Sequence, residues 1–272
     1  MNYKDIQQAL AKYNRKADKN LGQNFLVNQV YADMIASLVK SREGDTILEI
    51  GSGLGSLSEY LVQGPQRVIL LDYDRDMIAY LTERFSGKEN VTISYDDILK
   101  FDLTPYNKII GNLPYYITTP IIKRVLLEAS NLQLFVFMIQ KEVALKLLSK
   151  ENTKNYSPLH VLIAYLGKIQ HIKDLKPSNF YPEPHIDSSV LTITINPDVD
   201  HLFAKSLFSG VNMLFRFNRK TLRNNLKGHI LEKELTAIFT EKGVSLDLRP
   251  QQIPPQVYIE CLKRIFHKRN SK

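Results

Sequence analysis

Short apolar and β-branched runs recur along residues 45–196, separated by segments whose apolar positions repeat every three or four residues. The runs have the length of strands that are covered on both faces, and the spaced pattern is typical of amphipathic helices. Met77, Leu81 and Phe85 show this spacing, and an aspartate precedes them where a helix N-cap is expected. Strands are predicted at 46–50, 68–72, 91–96, 108–112 and 132–140, with a terminal pair at 168–175 and 189–195.

Alternation of strands and helices predicts an α/β fold with a mostly parallel, doubly wound sheet. Asn196-Pro197-Asp198 interrupts this alternation, and the chain beyond it has a helical pattern. We therefore expect two domains, one over residues 1–197 and a small α-helical domain over residues 198–272. Helices of the second domain are predicted at 201–217, 219–227, 232–242 and 255–267.

The charge is distributed unevenly along the chain, which indicates the kind of partner it binds. The net charge is +8, from 36 basic and 28 acidic residues. Residues 200–272 carry 14 basic and 6 acidic residues, so the whole excess lies in the predicted helical domain. A concentrated basic segment favours a polyanionic partner, with nucleic acid ahead of an anionic membrane surface.

Composition excludes several other classes of protein. The chain is 44 % apolar and 24 % charged, which is typical of a folded globular protein and excludes collagen-like and disordered chains. No apolar run approaches the ~20 residues of a membrane span. The single cysteine, Cys261, cannot form an internal disulfide or a cysteine zinc site. These features predict a cytoplasmic protein.

A glycine-rich turn, Gly-Ser-Gly-Leu-Gly at residues 51–55, follows the first predicted strand. Glycines let the backbone approach a ligand closely and adopt positive φ angles. The third glycine comes one residue earlier than in the dinucleotide fingerprint, which disfavours an NAD-dependent dehydrogenase. Glu49 beside the turn would repel a pyrophosphate and attract an ammonium or sulfonium group.

Acidic residues follow the next two strands. Asp72 lies 21 residues after Gly51, where a carboxylate can accept both ribose hydroxyls of an adenosine. Asp97 follows the third strand and can accept a hydrogen bond from an adenine amino group. Together with the turn, these acids favour an adenosine ligand without phosphates, and S-adenosylmethionine is the obvious candidate.

The most specific motif ends the fourth strand, where Asn112-Leu113-Pro114-Tyr115 has the form found in methylases of exocyclic amines. The N6 lone pair of adenine is delocalised, so acceptors that hold the amino hydrogens favour a more nucleophilic, tetrahedral nitrogen. The candidate acceptors are the side-chain oxygen of Asn112 and the backbone carbonyl of Leu113. Pro114 fixes the turn and Tyr115 offers a face for base stacking. Phe180, in a proline-rich loop, is expected to cover the opposite face of the base.

These motifs resemble those of the ribosomal RNA adenine N6,N6-dimethyltransferases over nearly the whole chain. The resemblance is carried by residues 21–26, 49–55, 112–120, 140–144, 180–188 and 219–226. It implies a Rossmann-like S-adenosylmethionine-dependent methyltransferase sheet, mostly parallel with the last strand antiparallel, and S-adenosylhomocysteine as a product. It also implies a set of cofactor contacts: Gln23, Asn24, Phe25, Leu26, Glu49, Gly51, Ser52, Gly53, Asp72, Tyr73, Asp97, Ile98 and Asn112.

The family resembled has two branches. One dimethylates two adjacent adenosines in the 3′-terminal hairpin loop of small-subunit rRNA, and the other methylates large-subunit rRNA and confers macrolide resistance. Leu113 and the runs at 140–144 and 219–226 favour the small-subunit branch. Tyr116 departs from the asparagine of many members, and Asp72 from their glutamate. The large-subunit enzyme, a DNA adenine methylase and a non-catalytic assembly factor are the alternatives.

Basic residues of the helical domain are candidate RNA contacts. If residues 216–227 form one helix, five of them fall on a single face: Arg216, Arg219, Lys220, Arg223 and Lys227. Such a stripe suits phosphate contacts on structured RNA. The expected partner is small-subunit rRNA in a 30S assembly intermediate. We expect a monomer without a membrane partner, and no metal because no cluster has ligand spacing.

Overall fold

The computed structural model describes residues 1–13 and 23–270, without the side chains of the last two. The strands are β1 Phe25–Leu26, β2 Thr46–Ile50, β3 Arg67–Asp72, β4 Val91–Tyr95, β5 Lys108–Asn112, β6 Leu134–Gln140, β7 Gly167–Leu175, β8 Phe180–Tyr181 and β9 Ser188–Ile195. The helices are α1 Tyr3–Lys12, α2 Gln29–Ser37, α3 Ser58–Leu61, α4 Arg75–Arg84, α5 Thr118–Glu128, α6 Lys141–Leu147, α7 Pro158–Leu166, α8 His201–Leu214, α9 Leu222–Leu226, α10 Glu232–Glu241 and α11 Pro255–Asn270.

Seven strands form one sheet in the order β4-β3-β2-β5-β6-β9-β7. Strands β2 to β6 pair with one another in parallel, and β9 runs antiparallel to β6. The predicted α/β class and all seven predicted strands are confirmed. The chain order reverses direction between β2 and β5, which is where ligands bind in open parallel sheets. The carboxyl ends of β2, β3, β4 and β5 therefore share one edge.

A buried ion pair joins the amino ends of β2 and β5. The side chains of Asp45 and Lys108 are both 9 % exposed, and Lys108 Nζ lies 2.6 Å from Asp45 Oδ2. Lys108 also donates to the Lys40 carbonyl at 2.7 Å, and Asn107 donates to the other Asp45 oxygen at 2.7 Å. Burial raises the pKa of Asp45, but the hydrogen bonds from Lys108, the Arg42 amide and Asn107 outweigh it and leave that pKa below its ordinary value.

The structure divides the chain differently from the expected boundary at residue 197. One compact unit contains residues 1–144 and 169–194, and the other contains residues 145–168 and 195–272. The difference arises because α7 is apolar and packs against α8 and α11. Val161 of α7 and the preceding Tyr156 lie in one core with Phe203 and Leu207 of α8. The expected boundary placed α7 in the first domain with the sheet, but the buried face of α7 packs in the core of the helical unit.

The condition for a single basic face, one helix over residues 216–227, is not met, because the chain turns between the end of α8 and the start of α9. Thr221 caps α9 and accepts a hydrogen bond from the Asn224 amide. The Asn225 side chain accepts from the Phe217 amide at 2.8 Å and donates to three carbonyls of the turn, at residues 217, 220 and 221. These side-chain hydrogen bonds replace the helical ones, which is why the turn is stable.

The described residues, 1–13 and 23–270, contain neither a membrane-spanning helix nor a metal-binding cluster. No helix there is long and apolar enough to cross a membrane. No group of three or more His, Cys, Asp or Glu side chains there is arranged to hold a metal ion.

Candidate active site

The glycine turn forms one wall of a pocket at the carboxyl edge of the sheet. Gly51 and Gly53 have φ angles of +69° and +54°, which L side chains rarely adopt. A Cβ at Gly53 would lie 3.0 Å from the Phe25 ring, and one at Gly51 would lie 3.5 Å from the Asn112 carbonyl. The glycines therefore let the turn pass between the chain before α2 and the end of β5.

All the predicted cofactor residues line this pocket: Gln23, Asn24, Phe25, Leu26, Glu49, Gly51, Ser52, Gly53, Asp72, Tyr73, Asp97, Ile98 and Asn112. Their role as cofactor contacts stays a prediction, but their placement in one pocket agrees with it. The first two residues of the motif at 21–26, Leu21 and Gly22, lie outside the described residues.

Other lining residues were not predicted, among them Ser56, Asp74, Asp96 and Tyr116. Tyr116 follows the Asn-Leu-Pro-Tyr motif in a single 3-10 turn, and its ring is exposed. Burial, Asp97 and Asp72 raise the pKa of Tyr116 above its ordinary value. Its phenol therefore lies near both acids that were assigned to adenosine. Its position next to the motif was the only signal in the sequence.

Asp72 holds the turn as well as lining the pocket. Its two carboxylate oxygens accept hydrogen bonds from the Gly53 amide at 2.7 Å and the Asp74 amide at 2.9 Å. Burial raises the pKa of Asp72 to about 6, against those two hydrogen bonds. Each oxygen keeps a second lone pair. The carboxylate can therefore shape the turn and still accept hydrogen bonds from a ligand.

An ordered aromatic wall stands beside these acids. The rings of Tyr73 and Tyr95 stack with centroids 5.6 Å apart and an interplanar angle of 6°. The Arg75 guanidinium lies 5.2 Å from the centroid of Tyr95. Of the three, only Tyr73 lines the pocket. A ring held flat in this way suits contact with a planar base such as adenine.

Glu49 is buried at the end of β2, and its Oε2 accepts a hydrogen bond from Ser58 Oγ at 2.5 Å. Burial raises the pKa of Glu49 to about 8, assisted by the charge of Asp72. The carboxyl group is therefore mainly protonated at neutral pH when no cation faces it. A ligand that brings an ammonium group would stabilise the ionised form.

Asn112 has the most telling hydrogen-bonding pattern in the pocket. Its Nδ2 donates to the Asn24 carbonyl at 2.9 Å, which fixes the orientation of the amide. Its Oδ1 is buried and has no hydrogen-bond partner among the described residues. Buried polar atoms without partners are rare and costly. The carboxyl end of β5 therefore holds a hydrogen-bond acceptor for which the described residues supply no donor.

The rest of the Asn-Leu-Pro-Tyr motif surrounds that acceptor. Leu113 is buried, and its amide donates to the Met138 carbonyl at 3.0 Å. Pro114 lines the pocket, and Tyr115 begins the 3-10 turn. The Tyr115 hydroxyl and Ser188 Oγ are 3.0 Å apart, which orients the ring. Leu113 and Tyr115 are not among the residues that line the pocket.

The predicted stacking role of Phe180 is corrected by its burial. Phe180 pairs with Leu26 across the β1–β8 ribbon and is only 1 % exposed. Its ring packs in the core with Leu26, Leu175 and Val190. A ring covered in this way offers no face to a base. The proline-rich loop therefore serves to anchor residues 25–26 beside the glycine turn.

Charge in the pocket is one-sided. Five carboxyl groups line it, and no Lys, Arg or His is among the described lining residues. Such a site would repel the pyrophosphate of a dinucleotide and suits a cationic ligand. The glycine wall and the acids at Asp72 and Asp97 fit S-adenosylmethionine.

The predicted RNA contacts of the helical unit have distinct surroundings. Arg223 forms an ion pair with Asp247. Arg216 and Lys220 instead approach the ring of Phe217, at 5.2 and 4.8 Å from its centroid, and that residue is 44 % exposed. An exposed ring with two cations is typical of surfaces that bind unpaired nucleotides. Arg219 and Lys227 are exposed as well, but the five residues do not lie on one helix.

The fold and the pocket define a Rossmann-like methyltransferase. More narrowly, the chain belongs to the ribosomal RNA adenine dimethylase family, which matches residues 14–266. It is 37 % identical over 262 residues to the ribosomal RNA small subunit methyltransferase A of Clostridium botulinum, covering 93 % of this chain and 94 % of that protein. S-adenosylmethionine is accordingly the methyl donor, and the protein is an rRNA adenine methyltransferase.

Two solved structures share the fold. A dimethyladenosine transferase from Plasmodium falciparum superposes with a TM-score of 0.75 at 23 % identity, covering 90 % of this chain and 98 % of that one. The 23S rRNA methyltransferase ErmE superposes with a TM-score of 0.68 at 22 % identity, covering 89 % and 100 %. At these identities, the two structures show the fold alone.

Proposed function

We propose that this protein transfers methyl groups to the N6 atoms of two adjacent adenosines in the 3′-terminal hairpin loop of small-subunit rRNA. The observation that carries the proposal is the buried, unpartnered Oδ1 of Asn112 in the pocket. An acceptor there suits the amino group of a flipped-out adenine. The small-subunit target is supported by the relative from Clostridium botulinum and by the motifs at 140–144 and 219–226.

The residues of the motif act by holding and orienting the nucleophile. Asn112 Oδ1 accepts one amino hydrogen and the Leu113 carbonyl accepts the other, which makes the nitrogen lone pair available. Bound S-adenosylmethionine supplies a methyl group made electrophilic by the sulfonium, so no strong base is needed before transfer. Two effects then lower the barrier. The pocket aligns the nitrogen with the methyl group, and its electrostatics stabilise the positive charge that develops on N6. Tyr115, fixed by Ser188, supports this geometry.

The pH dependence of cofactor binding follows from Glu49. We expect the affinity for S-adenosylmethionine to rise about tenfold for each pH unit as the pH approaches 8, because Glu49 must lose its proton to face the ammonium group. Above about pH 8 the α-amino group of the cofactor itself loses its proton, so the rise ends there. Calorimetry at pH 7 in two buffers of different ionisation enthalpy should show proton release on binding.

The matched control for this prediction is Glu49→Gln. At pH 8 the variant should bind the cofactor more weakly than the parent protein does. Below pH 8 the affinity of the variant should vary little with pH. Equal pH profiles for the variant and the parent protein would assign the titration to another group.

The cations around Phe217 are expected to set the salt dependence of RNA binding. Lys220→Met should weaken binding to small-subunit rRNA and lower the slope of log affinity against log salt by about one. Arg223→Met is the control, because its partner Asp247 already neutralises that charge. Filter binding over a range of salt concentrations measures both. A larger change in slope for Arg223→Met than for Lys220→Met would contradict this assignment.

We propose further that the protein acts as a monomer in the cytoplasm, on a small-subunit assembly intermediate. The test of the substrate is transfer of labelled methyl groups to three acceptors in parallel: small subunits lacking the modification, naked large-subunit rRNA and duplex DNA. Label in small subunits alone supports the proposal. Label in large-subunit rRNA or DNA would move the protein to that class, and cofactor binding with no transfer would favour an assembly factor.

A further inference from the structure

Ser56 is a second polar group in the pocket that the described chain leaves unsatisfied. It follows the third glycine of the turn, lines the pocket and is 8 % exposed. Its Oγ is buried and has no hydrogen-bond partner among the described residues. The neighbouring hydroxyls differ, because Ser52 Oγ donates to the Glu49 carbonyl at 3.4 Å and Ser58 Oγ donates to the Glu49 carboxyl. Rotation about one bond can redirect Ser56 Oγ.

The chemistry of the pocket indicates which ligand group this hydroxyl serves. S-adenosylmethionine carries an α-carboxylate, and the described lining residues include five acids but no Lys, Arg or His. Among the described lining residues, only neutral donors can meet that carboxylate. Two side-chain amides already donate within the chain, Gln23 to Asp74 and Asn112 to Asn24. The Ser56 hydroxyl is a buried lining donor without such a bond.

The opposite role, as an acceptor for the ammonium group, suits Ser56 less. Carboxylates form stronger hydrogen bonds with cations than a hydroxyl oxygen does, and the pocket already provides five of them. We propose that the Ser56 hydroxyl donates a hydrogen bond to the α-carboxylate of S-adenosylmethionine. This proposal rests on the identity of the cofactor and is independent of the RNA substrate.

The test compares two ligands on two proteins. S-adenosylmethionine and its decarboxylated analogue are titrated calorimetrically into the parent protein and into Ser56→Ala. The variant should bind S-adenosylmethionine at least about tenfold more weakly, as expected for a lost hydrogen bond to a charged group. Its affinity for the decarboxylated analogue should be unchanged. An equal loss for both ligands, or a loss for neither, would overturn the proposal.

Thermal unfolding without ligand provides an independent readout. Removing a hydroxyl that lacks a partner should leave the unfolding midpoint of Ser56→Ala unchanged or higher. A variant that unfolds at a clearly lower temperature, or does not fold, would give the hydroxyl a structural role and overturn the proposal. Ser37→Ala is the control, since Ser37 is exposed, bonds only to its own helix and is absent from the pocket lining.

The outcomes separate this proposal from the function proposed above. Failure of the parent protein to bind S-adenosylmethionine would contradict the assignment of the cofactor itself. The parent protein could instead bind the cofactor and methylate small subunits while Ser56→Ala binds both ligands with the same affinities as the parent. That result would contradict only the role of Ser56.

Discussion

Replacing Asn112 by alanine is expected to lower the rate of methyl transfer by about 10²–10³-fold, the usual cost of losing one group that stabilises a transition state. The side chain supplies a buried oxygen without a partner, and the proposed mechanism uses it to hold the amino group of the target. Affinity for S-adenosylmethionine should change by only a few-fold, through loss of the hydrogen bond to Asn24. Single-turnover rates at saturating cofactor, with calorimetric binding beside them, separate the two effects.

Asn112→Asp is the informative companion, because it keeps an acceptor oxygen at the same position while losing the amide donor. It should retain more activity than Asn112→Ala. A collapse of cofactor binding in the alanine variant, with normal turnover in the bound fraction, would mean that Asn112 serves the cofactor and leaves the nucleophile to another group.

The largest loss of stability is expected at the opposite edge of the sheet. Asp45→Ala should lower the free energy of unfolding by about 3–5 kcal/mol, because it leaves Lys108 buried without its counter-charge. It also removes the acceptor of the Asn107 side chain. Denaturant titration measures this loss. At temperatures where the variant is folded, cofactor affinity should be unchanged, since the pair lies at the amino ends of the strands.

Two controls accompany this prediction. Glu83→Ala breaks an exposed ion pair, in which the side chain of Lys12 is 51 % exposed and that of Glu83 is 62 % exposed, and it should cost far less than Asp45→Ala. Asp45→Ala combined with Lys108→Met should recover part of the loss, because no unpaired buried charge remains. A cost of Asp45→Ala equal to that of Glu83→Ala would show that burial does not govern this pair.

The sheet could be predicted from the sequence because its strands are buried on both faces. Runs such as 46–50 and 108–112 have an apolar centre and match the observed strands residue for residue. The site could be predicted for a related reason. Parallel strands bring their carboxyl ends to one edge, so Glu49, Asp72 and Asn112 meet although they are far apart in sequence.

The remaining features depend on contacts that a local pattern does not contain. Helix α7 lies between sheet elements in sequence, but its apolar face is covered by helices from the end of the chain. The break before α9 depends on Asn225, which satisfies the backbone eight residues earlier. Phe180 was expected to cover the target base, yet its pairing with Leu26 places the ring in the core. Ser56 was missed because a missing hydrogen bond has no signature in sequence.

Incubation of unmethylated small subunits with the protein and labelled S-adenosylmethionine, followed by digestion of the rRNA to nucleosides, tests whether the pocket methylates adenosine N6 in small-subunit rRNA. We expect N6,N6-dimethyladenosine as the labelled product, at two adjacent positions of the 3′-terminal hairpin loop. We expect none with Asn112→Ala. Label in another nucleoside, or dimethyladenosine formed equally by Asn112→Ala, would contradict the proposed function.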